Sequence, residues 1–231
     1  MNECANIINR LKETANPANV TGMARFGINP ANTLGVSIPV LRKIAREYLL
    51  QHALALDLWQ SGVHEARILA SMVADPKQVT AELMDKWTAD FDSWDTCDQV
   101  CANLWEKTPY AYEKALEWSQ DEQEFIKRAG FVLMARLAVG NKNVSDAKLA
   151  EFMPHLLRGA SDERNFVKKA VNWALRQIGK RSATLNSLAI KTAGEMALID
   201  SKGARWIAAD ALRELKSDAV NHRLSVKSGL K

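Results

Sequence analysis

Apolar residues recur at intervals of three and four along nearly the whole chain, the spacing that lines one face of an α-helix. No segment alternates apolar and polar residues as a half-buried strand does. The pattern predicts helices near 2–14, 17–26, 37–50, 52–61, 63–74, 77–89, 93–106, 109–119, 122–139, 146–157, 162–180, 183–198 and 201–216, each ended by Pro, Gly, Asn or Asp. One phrase returns within them: VHEARILASMV at 63, IKRAGFVLMARLA at 126, VKKAVNWALRQIG at 167 and SKGARWIAADALREL at 201. Aligning Ala66, Ala129, Ala170 and Ala204 gives steps of 63, 41 and 34 residues; the first step is about two repeats, and the helix at 93–106 fills that gap. Helix pairs recurring at about 30 to 45 residues mark an α-solenoid of HEAT type. The expected fold is therefore all-α, a single curved domain over 1–216 followed by a basic tail at 217–231.

Composition adds little to this picture and charge adds more. A chain of 231 residues that is 47% hydrophobic and 25% charged can bury a substantial core. No apolar run reaches bilayer length, and the opening MNECANIINRLKETANP is amphipathic where a signal peptide is apolar, so a cytoplasmic location is expected and no membrane partner. Cys4, Cys97 and Cys101 fit a reducing compartment. Cys97 and Cys101 lie one turn apart with no histidine close in sequence, and they read as core thiols rather than metal ligands; no metal and no cofactor is expected. The formal charge of +4 is unevenly spread. Residues 75–124 hold 13 acidic and 4 basic side chains, whereas residues 125–231 hold 20 basic and 9 acidic, a balance of +11. Such segregation either forms a solvated basic face or steers a polyanion towards the carboxyl half.

Within SWDTCDQVCANLWEK (93–107), Cys97, Val100, Cys101 and Leu104 span about 100° of a helical wheel, with Trp94 just outside that arc and Asp98 beyond it. A W-x-x-x-D of this kind is commonly a surface aspartate beside a half-buried tryptophan. Two further tryptophans sit among cations: Trp173 between Lys169 and Arg176, away from the arc of Val167, Ala170, Val171, Ala174 and Ile178, and Trp206 between Lys202 and Arg213. Burial between repeats is the alternative reading of both. Arg128 points away from the arc of Ile126, Ala129, Leu133 and Leu137, placed either to pair with an acid or to reach a phosphate. No phosphate loop, H-E-x-x-H, nucleophile elbow or zinc spacing occurs, so any chemistry falls to carboxylate, arginine and indole.

The order and spacing of MARFGINPANTLGVSIPVLRKI, SWDTCDQV, FIKRAGFVLMARLA and NFVKKAVNWALRQIGK resemble the AlkD-type DNA alkylation repair glycosylases, over most of the chain to about residue 215. The resemblance implies that Trp94 and Trp173 face the lesion, that Asp98 is the catalytic aspartate, and that Arg128 contacts DNA. Lys169, Arg176, Lys202 and Arg205 are further candidate DNA contacts. It also implies hydrolysis of the N-glycosidic bond of cationic N3- or N7-alkylated purines in double-stranded DNA, without base flipping and without an obligate protein partner. Two features depart from the family pattern. Phe26 stands where a tyrosine is found, leaving no hydroxyl near the lesion, and the interval from Arg128 to Trp173 is longer by several residues in VGNKNVSDAK. The rival reading is a HEAT-type module that binds nucleic acid or protein without activity.

Overall fold

The computed structural model describes residues 3–140 and 144–227, and among these every regular element is helical. Contacts divide the chain into two compact units that meet at Thr108 and Pro109. The first holds α1 (Glu3–Glu13), α2 (Pro17–Arg25), α3 (Ile38–Ala45), α4 (His52–Gln60), α5 (His64–Val73), α6 (Ala81–Ala89) and α7 (Trp94–Asn103). The second holds α8 (Ala111–Trp118), α9 (Glu124–Gly140), α10 (Asp146–Ala150), α11 (Met153–Gly159), α12 (Asn165–Gly179), α13 (Ala183–Ala197), α14 (Lys202–Leu215) and α15 (Asp218–Lys227).

In the second unit α9 packs on α12 and α12 on α14, while α8 and α13 back onto α9 and α14. The repeats are held in a fixed register. Arg128 reaches Phe166, Asn172 reaches Asp210 and Arg176 reaches Glu214, each across 38 residues. In the first unit the offset between α5 and α7 is shorter, 31 residues for His64 to Asp95 and 32 for Asn103 to Ser71. The phrase at 63 and the W-x-x-x-D helix are thus consecutive repeats, as the sequence spacing predicts.

Indoles fill the core of the first unit. Trp59 and Trp87 stack at 4.1 Å between centroids, and Trp105 lies 5.6 Å from Trp87. Each buried indole removes a large apolar surface from water and so stabilises the unit.

The helix boundaries differ from the sequence expectation in four places. The helix expected over 37–50 ends at Ala45, and the chain turns through Leu50, whose φ of 63° is left-handed. Thr80 caps α6 by accepting from the Leu83 N–H, so only a separate 3₁₀ turn, Pro76–Gln78, precedes it. The segment 146–157 is two helices, because Pro154 near the start of α11 has no N–H to continue α10. The expected basic tail from residue 217 forms α15 as far as Lys227, since Val220 and Leu224, one turn apart, are both buried. Residues 228–231, the end of that segment, lie outside the described residues, as do residues 141–143 of the lengthened interval.

Candidate active site and cationic surfaces

The first unit builds its candidate site where the chain leaving α2 meets the start of α7. The inner face of α7 is apolar as expected, with Cys97, Val100, Cys101 and Leu104 buried. Ser93 occupies the N-cap position but does not cap; its buried hydroxyl accepts from the Asn29 N–H at 2.9 Å and donates to Asp92 at 3.1 Å. The Asn29 side-chain amide donates to the other Asp92 oxygen at 2.7 Å. These three bonds fix the 26–29 segment against α7. Trp94 Nε1 then donates to the Phe26 carbonyl at 3.1 Å, which sets the indole plane. Phe26 itself is 74% exposed. Asp98 follows Trp94 by one turn, and both are half-buried at the edge of the apolar face.

Two buried acid–base groups brace this corner from α5. Glu65 is 1% exposed and accepts from the backbone N–H groups of Leu34, Gly35 and Val36, at 2.9, 2.6 and 3.1 Å. His64 bonds Asp95 of α7 at 2.9 Å through Nε2. Burial acts against its charged form, but Asp95, with Glu65 and Asp92 further off, outweighs that and raises its pKa above the ordinary histidine value. A raised folded-state pKa stabilises the protein below the unfolded value and loses that contribution as pH rises through the folded one. The melting-temperature gap between wild type and His64→Gln is therefore expected to be widest near pH 6, below histidine's usual pKa of about 6.5, and to narrow as the solution becomes alkaline. A gap constant from pH 6 to pH 9 would show that the pair is not charged.

The second unit carries the remaining expected residues, and they fall into distinct settings. Trp173 is half-buried, and Lys169, Lys202 and Arg205 are exposed on α12 and α14. Arg205 donates to Asp200 at 3.1 Å. Arg176 lies in the α12–α14 seam, paired with Glu214 and, at 3.0 Å, with Asp210. Asp210 also accepts from Asn172, and that bond together with the Arg176 and Arg213 charges holds its carboxyl below the usual range. Arg128 is 6% exposed, and its Nη1 donates to the Phe166 carbonyl at 2.6 Å, so at least one of its donors braces α9 against α12. Trp206 is 42% exposed, and the cation over its ring is Lys168 of α12, 5.3 Å from the centroid, rather than either lysine or arginine expected from its own helix. Arg136, two turns beyond Arg128 on α9, keeps more of its side chain at the surface. Sequence reading passed it over because it falls inside a long apolar run.

Repeated helix pairs in fixed register, with no other element type among the described residues, define a HEAT-like repeat protein. The chain belongs to the DNA alkylation repair enzyme family, whose sequence profile matches residues 7–215. No curated protein matches it in sequence. Among solved structures it is similar, with a TM-score of 0.77 and 19% identity over 93% of this chain and 96% of the other, to a member of a family related to the HEAT-like repeat DNA glycosylases with affinity for branched DNA structures. A designed armadillo repeat protein in complex with a (KR)4 peptide also matches, at 15% identity over 82% of this chain and 80% of the other, with a TM-score of 0.39.

Proposed function

We propose that the protein is a DNA glycosylase that releases N3- and N7-alkylated purines carrying positive charge. The observation that supports this most directly is the pairing on α7: an indole fixed by the Phe26 carbonyl, one turn before a half-buried carboxylate. An indole face attracts a cationic base by roughly 0.5 to 2 kcal/mol. As the bond from C1′ to the base nitrogen breaks, its electron pair leaves with the base and neutralises it, and positive charge develops on the sugar. The Asp98 carboxylate opposes that charge and takes the proton from the water that adds to C1′. The departing base needs no acid, because alkylation has already made it a good leaving group. Trp173 of the second unit is the other aromatic group assigned to the lesion.

Phosphate contacts are assigned to Arg128, Lys169, Arg176, Lys202 and Arg205, with Arg136 added for its surface position. Residues 125–231 carry a balance of +11, so binding should weaken steeply with salt, with a logarithmic slope of about −0.9 per phosphate neutralised. Lys169→Gln or Lys202→Gln should each reduce that slope by about one unit, and an affinity indifferent to salt would remove the electrostatic basis of the assignment. The decisive test is single-turnover release of 7-methylguanine or 3-methyladenine from alkylated duplex DNA.

The branched-DNA affinity of the structurally similar family supports a second reading, a protein that binds DNA junctions without excising bases. Tight binding to a four-way junction with no base release would favour it.

A further inference from the structure

In the second unit, the end of α8, the first turns of α9 and the helix α11 border a half-open cavity of about 240 Å³ lined by Ser119, Gln120, Lys127, His155, Arg158 and Gly159. Close backbone approach builds it. A Cβ on Gly130 of α9 would lie 2.4 Å from the Ser119 nitrogen, and one on Gly159 would lie 2.3 Å from the Phe131 ring, so only glycine lets α8 and α11 close onto α9 here.

The lining consists mainly of donors. The Ser119 hydroxyl is 5% exposed and donates to the Leu116 carbonyl at 2.8 Å, so it must accept from His155, whose Nδ1 is 3.0 Å away. That assigns the neutral tautomer: Nδ1 carries the proton and Nε2 is the atom that gains one on ionisation. Lys127 Nζ is 3.3 Å from Asp162, but Arg164 already engages both oxygens of that carboxylate at 2.9 and 2.6 Å. One carboxylate therefore serves two cations, and Arg158 adds a third positive group at the mouth. Burial, and then the Arg158 charge, push the His155 pKa below the ordinary value, and Lys127 from α9 and Ser119 from the end of α8 are the other groups that share its cavity. The acids Asp121, Glu122 and Glu124 belong to the segment entering α9, where Asp121 accepts from the Gln123 N–H.

We propose that this cavity binds a phosphate group of DNA, either a backbone phosphodiester or a strand-terminal phosphomonoester. Lysine, arginine, amide and imidazole groups lining one small cavity suit a tetrahedral oxyanion, which would add negative charge where Lys127 shares Asp162 with Arg164. Binding draws a proton onto His155 Nε2, so phosphate raises the His155 pKa and affinity grows as pH falls. The proposal rests on the reading of the protein as a DNA-binding enzyme, but its test does not depend on base release.

The His155 ring resonance of the full chain, identified by its loss in His155→Gln, is titrated with pH in chloride and in inorganic phosphate at equal ionic strength. Phosphate should raise the His155 pKa and chloride should not, and Lys127→Gln and Arg158→Gln should each weaken the response about tenfold, the effect of losing one charge-assisted donor. Identical titrations in the two salts, or a response that survives both substitutions together, would overturn the site. A duplex oligonucleotide that shifts His155 only when 5′-phosphorylated assigns a terminal phosphomonoester, and one that shifts it with or without the 5′-phosphate assigns the backbone. A duplex that shifts it in neither form overturns the assignment to DNA. Failure of the wild type to release base sinks the glycosylase reading and leaves the His155 result standing.

Discussion

Asp98→Asn should slow release of 7-methylguanine from alkylated duplex DNA on the order of 10²- to 10³-fold, the usual cost of removing one preorganised stabiliser of transition-state charge. Asparagine keeps the size and much of the hydrogen bonding of aspartate, so α7 should keep its packing: the residues that bury the helix are Cys97, Val100, Cys101 and Leu104, none of which Asp98 replaces. DNA affinity should hold or rise slightly, because a carboxylate near phosphates repels them. The measurement pairs single-turnover base release with a binding titration on the same undamaged duplex. Wild-type release by Asp98→Asn would make Asp98 an ordinary helix-edge acid and leave the indole without its catalytic partner.

Glu65→Ala should give a large loss of stability in the first unit. The carboxylate is 1% exposed and binds three consecutive backbone donors, at Leu34, Gly35 and Val36, near the positive end of α5. Truncation leaves those N–H groups, two of them buried, without their acceptor, at a cost of roughly 3 to 5 kcal/mol. For a chain of this size that lowers the melting temperature by about 10 °C. Glu65→Gln should fall between the two, since its amide oxygen still accepts while its NH₂ group confronts one of the donors. The loss should also reach the site: the same segment runs back to Asn29 and Phe26, so Glu65→Gln should slow base release with Asp98 untouched. A melting temperature within about 1 °C of wild type in both variants would mean that water enters this corner and solvates the freed groups.

Much of the fold was legible because helical periodicity reports burial directly, and the α7 face came out as four buried residues flanked by Trp94 and Asp98. Boundaries were less legible where local sequence keeps its apolar rhythm past the helix. Leu49 and Leu50 extend the pattern of α3, but both are more than half exposed, and nothing in their side chains announces the left-handed turn at Leu50. At the candidate site, the residues to which chemistry is assigned were named from the sequence through a family resemblance, and those that position them were not. Trp94 is held by a carbonyl, which every residue has. Glu65 looks like a surface acid until the loop at 34–36 folds over it. A wheel also reads only one helix, so it missed that the cation over Trp206 is Lys168 from the neighbouring repeat, and that Arg128 spends a donor on the main chain of Phe166.

The bond from the Trp94 indole to the main chain at residue 26 separates two tasks that usually compete. Since the acceptor is a carbonyl, it is present whatever side chain residue 26 carries, and the Phe26 ring itself is exposed. The side chain presented at position 26 can then vary over evolutionary time, or be randomised in a library, while the bond that holds the Trp94 indole is inherited unchanged.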